Sequence, residues 1–212
     1  MPDNPAARSV KISADERTGW SSERPRRDGG PPRPVSVSVA GRVLAATDRI
    51  RYSPGSLVLI AGAAESERVR FAERVVEERG AVLSLPRVRE LLAGRVAAEE
   101  SETRARELLT AAVGKRLQAN QSVVVPLATL DPEEREVYVR LAHALRRPRH
   151  LILLDVSREQ ALDGERSVLD ELRRALDAGE LGQEGFQTAM RLGGHARAEL
   201  KRIVFRPPPS ED

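Results

Sequence analysis

The segment Ser56-Leu-Val-Leu-Ile-Ala61, directly after the turn signal Pro54-Gly55, sets the fold class of this chain. An apolar run of this length after a turn predicts a strand that is buried on both faces, as strands of parallel sheets are. Apolar residues then recur at helical spacing from about Glu67 to Arg79, and Gly80 is typical of a helix end. A buried strand followed by an amphipathic helix is the repeating unit of an α/β protein.

The alternation of strand and helix continues toward the C-terminus. Further buried strands are predicted at 81–84, 122–125, 151–156 and 203–205, and a half-buried strand at 35–39. Helices are predicted at 99–117, from Asp131 onward and around 169–176, and a helix stop at Gly193-Gly194. Asp131, Pro132 and Glu134 have the spacing of an N-terminal capping box. We therefore expect a three-layer α/β fold, with a mostly parallel five-stranded sheet and helices on both faces.

The composition is typical of a cytoplasmic protein. Apolar residues make up 40% and charged residues 32% of the 212 residues. No apolar run approaches the roughly 18 to 20 residues of a spanning helix, and the N-terminus lacks the apolar core of a secretory signal. The absence of cysteine excludes disulfides, thiolate metal sites and a cysteine nucleophile. The net charge of +3 gives only a weak electrostatic preference for any partner, and no membrane partner is expected.

The two ends of the chain differ from its middle. Residues 1–34 hold six prolines and few large apolar groups, so they cannot bury enough surface to offset the entropy lost on ordering. We expect a disordered N-terminal arm at 1–34, a folded domain at 35–206 and a C-terminal tail at 207–212. The arm is a candidate docking element, because disordered segments often fold on a partner.

Several blocks of the sequence resemble those of P-loop kinases. The segment 54–62 is similar to the approach to the phosphate loop in AAA-family ATPases that resemble bacterial polynucleotide kinases. Further blocks of that family resemble, in the same order, the segments 82–94, 115–135, 151–156 and 183–186. The resemblance covers about residues 52 to 206, and it implies a P-loop NTPase-like fold for that part of the chain.

The phosphate loop of the family is changed at most of its chemical positions. Gly62 matches the first glycine, whereas Glu65 and Glu67 stand where the family has glycines. Arg68 stands at the lysine that reaches the phosphates, and Val69 stands at the hydroxyl that holds magnesium. Arginine is a planar fork and an imperfect substitute for a compact ammonium, and valine cannot coordinate a metal. The resemblance therefore implies a degenerate nucleotide site at these five residues.

The other functional blocks are changed in the same way. Pro86 stands at the family's general-base aspartate, and Pro126 at a second aspartate, and proline can neither accept a proton nor bind magnesium. Three arginines match arginines of the family and are candidates for acceptor or anion binding: Arg89, Arg135 and Arg166. No catalytic residue and no metal ligand is predicted.

These changes together favour a pseudokinase, a catalytically inactive protein that keeps the kinase shape as an interaction or structural subunit. We then expect no cofactor and a protein partner. A first alternative is an atypical polynucleotide or small-molecule kinase that uses ATP and Mg²⁺ through Arg68 and Asp155. Asp155 ends a buried strand, where it would serve the nucleotide site or cap the following helix. A second alternative is a nucleic-acid-binding module without ATPase activity, which uses Arg89 and Arg135.

Overall fold

The computed structural model describes residues 49–62, 64–157, 160–161 and 163–207. All of them belong to the unit Pro34–Asp212 of the chain. Outside them lie three segments predicted above: the arm at 1–34, the strand at 35–39 and most of the tail at 207–212. Within the described part, no helix is both long and apolar enough to cross a membrane.

The described strands form two separate parallel sheets. The strands are β1 (Arg49–Tyr52), β2 (Leu57–Gly62), β3 (Val123–Pro126), β4 (Arg149–Leu154), β5 (Thr188–Leu192) and β6 (Arg202–Phe205). Four of them form a sheet in the order β3-β2-β4-β5, and β1 and β6 form a two-stranded pair. The prediction of one five-stranded sheet is therefore wrong in its count, because β6 pairs with β1, the predicted strand at 81–84 is only an isolated bridge, and the main sheet gains β5.

Helices connect the strands and cover both faces of the main sheet. They are α1 (Glu65–Val75), α2 (Leu85–Leu92), α3 (Ala98–Gln118), α4 (Pro132–Ala144), α5 (Arg166–Asp177) and α6 (Gly194–Glu199). Short 3-10 turns lie at Arg79–Ala81, Asp163–Glu165 and Glu180–Gly182. Every residue of β2 is buried, as is every residue of β4 after Arg149, because helices pack against both sides of these central strands. The predicted α/β class is thus confirmed.

Two of the predicted elements near β2 end differently from the prediction. Helix α1 ends at Val75, well before Arg79, because Val76 forms a parallel bridge with Ile203 of β6. The predicted strand at 81–84 is reduced to one isolated bridge between Val82 and Val124, since α2 already begins at Leu85. In both places a short extended contact with a neighbouring strand replaces the longer element that the apolar pattern predicts.

The pair Gly193-Gly194 begins a helix and does not end one. Gly193 has an extended backbone and is the N-cap residue of α6, which starts at Gly194. Glycine is accepted at N-caps as well as at helix ends, so the residue type alone did not distinguish the two positions.

A ring contact fastens the two-stranded pair to the main sheet. The imidazole of His150 on β4 stacks on the ring of Tyr52 on β1, with 4.2 Å between the ring centroids. On its other side, His150 Nδ1 lies 2.8 Å from the hydroxyl of Thr188 on β5. Burial, together with the charge of Arg149, lowers the pKa of His150 to about 4. His150 is therefore neutral in the folded protein at neutral pH.

Stability is expected to fall as the pH is lowered from about 6.5 to about 4. In this range the unfolded chain binds a proton at His150, whose ordinary pKa is 6.5, and the folded chain does not. The shift corresponds to a loss of about 3 kcal/mol in the free energy of unfolding. Urea denaturation of the wild type and of His150→Asn at pH 7 and pH 4.5 measures this loss. Equal losses in the two proteins would contradict the assignment to His150.

Candidate functional site

The turn after β2 requires glycine at its first position. Gly62 has a φ of +78°, in the left-handed region that favours glycine. A Cβ at this position would also lie 2.2 Å from the carbonyl oxygen of Leu154 on the neighbouring strand β4. The glycine that matches the family's phosphate loop is therefore required by the backbone and by the packing of β2 on β4. Ala63, the next residue, lies outside the described part of the chain.

Helix α1 begins before its predicted start at about Glu67, and backbone N–H groups of its first turn are hydrogen-bonded within the chain. The helix starts at Glu65, and the carbonyl of Ala64 accepts the N–H groups of Glu67 at 2.9 Å and of Arg68 at 3.0 Å. A phosphate loop binds anions through backbone N–H groups that point into a cradle. Here two of the N–H groups in the matching segment donate to the chain itself.

Arg68 connects the turn to the loop that follows β3. Its side chain is 1% exposed, and its guanidinium donates to the carbonyl oxygens of Gly62 at 2.9 Å and of Ala128 at 2.7 Å. Burial lowers the pKa of Arg68, and the charges of Glu165, Glu134 and Glu65 oppose that shift. Arginine stays protonated in proteins, so the side chain is a buried cation that is directed at backbone carbonyls.

The two glutamates of the turn form ion pairs with different helices. Glu65 lies 3.4 Å from Arg89 on α2, and Glu67 lies 3.1 Å from Arg197 on α6. Val69 is half-buried within α1 and offers no oxygen to a metal. The five residues of the predicted nucleotide site thus lie together on β2 and α1, and their charged side chains all have partners within the protein.

A single carboxylate organises the loop after β3. Glu134 on α4 accepts the N–H groups of Ala128 at 3.0 Å and Thr129 at 2.7 Å, and the Thr129 hydroxyl at 2.8 Å. The predicted capping box is wrong in its contacts, since Asp131 makes no side-chain cap to α4 and Glu134 binds the preceding loop instead. By fixing Ala128, Glu134 also fixes the carbonyl that receives Arg68.

Arg89 is held at the surface by carboxylates on two helices. Its guanidinium donates to both oxygens of Glu102 on α3, at 2.7 Å and 3.0 Å, in addition to its contact with Glu65. This hydrogen bonding raises the pKa of Arg89 and lowers the pKa of Glu102. The structure therefore brings Arg89 to the turn, as a partner of an acidic residue there.

Arg135 is buried and its guanidinium is engaged on both sides. The side chain donates to the two carboxylate oxygens of Glu184, both at 3.1 Å, and to the carbonyl oxygen of Leu130 at 2.7 Å. A two-pronged arginine–carboxylate pair of this kind is among the stronger charged contacts in proteins. Arg166, the third predicted arginine, is the first residue of α5 and is half-buried.

Asp155 at the end of β4 does not cap a helix. Its carboxylate accepts hydrogen bonds from Arg173 on α5 at 2.8 Å and from Arg191 on β5 at 2.7 Å. The N-cap of α5 is Glu165. The predicted helix-cap role is therefore wrong, and two arginines occupy the carboxylate that would serve a nucleotide.

Sequence reasoning missed most of the partners that hold this site together. Glu134 was predicted only as a capping residue of α4, and Glu184 and Arg197 were given no role, although each of the three binds a residue of the site or its loop. The only signal for Glu184 was its place in the block 183–186, which resembles a glutamate-glycine-phenylalanine element of the family. Among the described residues, no group of three or more His, Asp or Glu side chains could hold a metal ion.

Comparison with known proteins identifies the family of this site. Residues 62–167, half of the 212 residues, match the AAA domain family (AAA_33). The chain therefore belongs to the AAA domain family, and its α/β fold is P-loop NTPase-like. The match begins at Gly62 and includes α1, Arg89 and Arg135. No curated protein matches the chain.

Three of the solved structures that match this chain come from bacteria. Mycobacterium tuberculosis APS kinase CysC, in complex with AMPPNP and APS, is 13% identical, with a TM-score of 0.39 over 70% of this chain and 95% of that chain. A gluconokinase from Sinorhizobium meliloti 1021 is 15% identical, with a TM-score of 0.35 over 67% and 84%. The Deinococcus radiodurans tunicamycin resistance protein is 15% identical, with a TM-score of 0.39 over 72% and 99%.

Proposed function

We propose that this protein is a catalytically inactive P-loop kinase-like protein, a pseudokinase that acts as an interaction or structural subunit. The observation that carries the proposal is the position of Arg68, which stands at the family's lysine. Its buried guanidinium donates to the carbonyls of Gly62 and Ala128. A side chain held in this way, with its charge buried against backbone carbonyls, serves the fold.

Charge at the turn adds to this support. A triphosphate that approached the segment would meet Glu65 and Glu67 where the family has glycines. At about 4 Å and an effective dielectric of about 20, each contact between like charges costs about 4 kcal/mol. The ion pairs of these glutamates with Arg89 and Arg197 reduce the repulsion, but they also occupy the cations that would otherwise attract phosphate.

The residues at the positions of the family's aspartates also support a loss of kinase activity. Pro86 lies in the first turn of α2, and Pro126 is the buried last residue of β3. Neither side chain can take a proton from an acceptor hydroxyl or coordinate magnesium. Phosphoryl transfer depends on positioned phosphates, a metal and a base. At the matching positions, this chain has no side chain suited to position the phosphates, to hold the metal or to act as the base.

Titration calorimetry with MgATP tests the proposal. We expect no binding tighter than about 1 mM, which corresponds to roughly −4 kcal/mol. A dissociation constant tighter than about 0.1 mM would contradict the proposal. A matched control restores the family residues through Glu65→Gly, Glu67→Gly, Arg68→Lys and Val69→Ser, with circular dichroism to check the fold. Gain of MgATP binding in this variant alone would show that these four residues cause the loss of nucleotide binding.

The two alternatives receive less support from the contacts of their residues. The kinase alternative depends on Arg68 and Asp155, which are both engaged by other groups of the protein. The nucleic-acid alternative depends on Arg89 and Arg135, which are paired with Glu102 and Glu184. Transfer of labelled phosphate from ATP to a 5′-hydroxyl of DNA, RNA or a nucleoside, lost in Arg68→Ala, would favour the kinase.

A further inference from the structure

One face of the β1–β6 pair carries four exposed arginines and one buried valine. Arg49 and Arg51 are exposed on β1, and the residues between and after them are buried. In the parallel register Arg49 lies beside Arg202, and Arg51 lies beside Val204. The N–H of Arg206 donates to the Tyr52 carbonyl and continues the ladder, so the period of two places Arg206 on the same face. We call these four arginines and Val204 the arginine face.

The arginine face has more positive than negative charge. Glu77 is its acidic neighbour, 2.5 Å from Arg206 and 3.6 Å from Arg202. Within the described ranges, Arg49 and Arg51 form no ion pair with a carboxylate, unlike Arg202 and Arg206. Like charges directly across two strands, as at Arg49 and Arg202, repel each other. A bound anion would relieve this repulsion.

We propose that the arginine face binds the phosphodiester backbone of a single-stranded nucleic acid. Arg49 and Arg51 are two residues apart on one strand, which is about 6.6 Å, and the neighbouring strand lies about 4.8 Å away. The face therefore presents four arginines on two neighbouring strands, and the planar guanidinium groups of arginine match phosphate oxygens. A flexible single strand can adapt its successive phosphates to such a set of cations.

The absence of apolar anchors on this face favours nucleic acid over a protein or a membrane. In the described ranges, the large apolar side chains that are exposed are Leu91, Leu108 and Val137, on α2, α3 and α4. Val204 is only 3% exposed. Protein interfaces and membrane insertion depend on apolar side chains that lose water, whereas phosphate binding depends on cations and the release of counterions. We therefore expect sequence-independent, salt-sensitive binding.

This inference is separate from the proposed loss of kinase activity. The arginine face is built from β1 and β6, and it includes none of the residues of the turn, nor Arg89 and Arg135. Failure of nucleic-acid binding would leave the calorimetric test of the pseudokinase unaffected. Tight binding of MgATP would likewise leave the arginine face unaffected.

Fluorescence anisotropy with a fluorescein-labelled 20-nucleotide single-stranded DNA tests the inference. The full chain is expected to bind with a dissociation constant on the order of 1 to 100 µM at physiological salt. Arg49→Ser with Arg51→Ser is expected to weaken binding on the order of tenfold. The same variant should reduce the slope of log K against log salt by about 1.4, which is about 0.7 for each lost phosphate contact. Unchanged affinity and slope would overturn the inference.

Control variants separate a local effect from a general one. Arg104→Ser with Arg140→Ser removes two exposed arginines from α3 and α4, and is expected to change the affinity less than twofold. An equal loss in this control would overturn the inference. Arg49→Lys with Arg51→Lys keeps the charge and is expected to keep most of the affinity, and circular dichroism of the serine and lysine variants excludes misfolding as the cause. Equal competition by polyglutamate of the same charge, or binding to anionic vesicles but not to DNA, would also overturn it.

Discussion

Replacing Arg68 with methionine is expected to lower the free energy of unfolding by about 4 kcal/mol. Methionine keeps much of the length and apolar volume of the side chain but removes its donors. The carbonyls of Gly62 and Ala128 then lose their guanidinium partner, and each buried acceptor left unpaired costs about 1 to 3 kcal/mol. The measurement is equilibrium denaturation in urea, followed by circular dichroism.

The matched control for Arg68 is Arg70→Met on the same helix. Arg70 is exposed, and its replacement is expected to change the free energy of unfolding by less than about 0.5 kcal/mol. If Arg68→Met does not fold, Arg68→Lys provides a milder test, because a single ammonium can still reach one carbonyl. A loss for Arg68→Met no larger than that of Arg70→Met would show that the buried arginine does not hold the turn.

Replacing Arg135 with methionine is expected to destabilise the protein by about 3 kcal/mol. The substitution removes the partner of Glu184 and leaves the carbonyl of Leu130 without its guanidinium donor. If Arg135 instead bound an acceptor or another anion, its removal would reduce binding with little effect on stability. A structural role of Arg135 therefore changes the free energy of unfolding, whereas an anion-binding role changes the binding affinity.

Arg140→Met on the same helix is the control for Arg135. Its side chain is 77% exposed, so its pair with Glu136 is expected to contribute less than about 1 kcal/mol. Thermal and urea denaturation of the two variants, at equal protein concentration, compare a buried pair with an exposed one. Similar losses in both would contradict a structural role for Arg135.

Three strands of the main sheet could be predicted because a short apolar run is compatible with few structures other than a buried strand. The segments at 56–61, 122–125 and 151–156 are continuous apolar runs, and each became a buried strand of the main sheet. Strand β5 could not be found in this way, because Thr188 and Arg191 interrupt its apolar pattern. Thr188 lies against His150 and Arg191 binds Asp155, so both polar residues find partners only in the folded chain.

The contacts of the candidate site could not be predicted from its residues. The resemblance aligns Gly62, Glu65 and Arg68 with the family's phosphate loop, and in the structure Gly62 ends β2 while Glu65 and Arg68 lie in α1. It gave no information on the direction of Arg68, because its partner at Ala128 is a backbone carbonyl 60 positions away, which leaves no trace in side-chain patterns. The pairing of Arg135 with Glu184 joins residues 49 positions apart, and only the topology of the sheet brings them together.

The parallel pairing of β1 with β6 has a mechanical consequence. The first and last strands of the described chain lie side by side in the same direction, in register from Arg49 and Arg202 to Tyr52 and Phe205. A pull between the start of β1 and the end of β6 acts along the strands, so the ladder is loaded in shear. Its hydrogen bonds then share the force together and do not open one by one. Forced unfolding is governed by the barrier to rupture, and this arrangement makes the domain resistant to extension from its two ends.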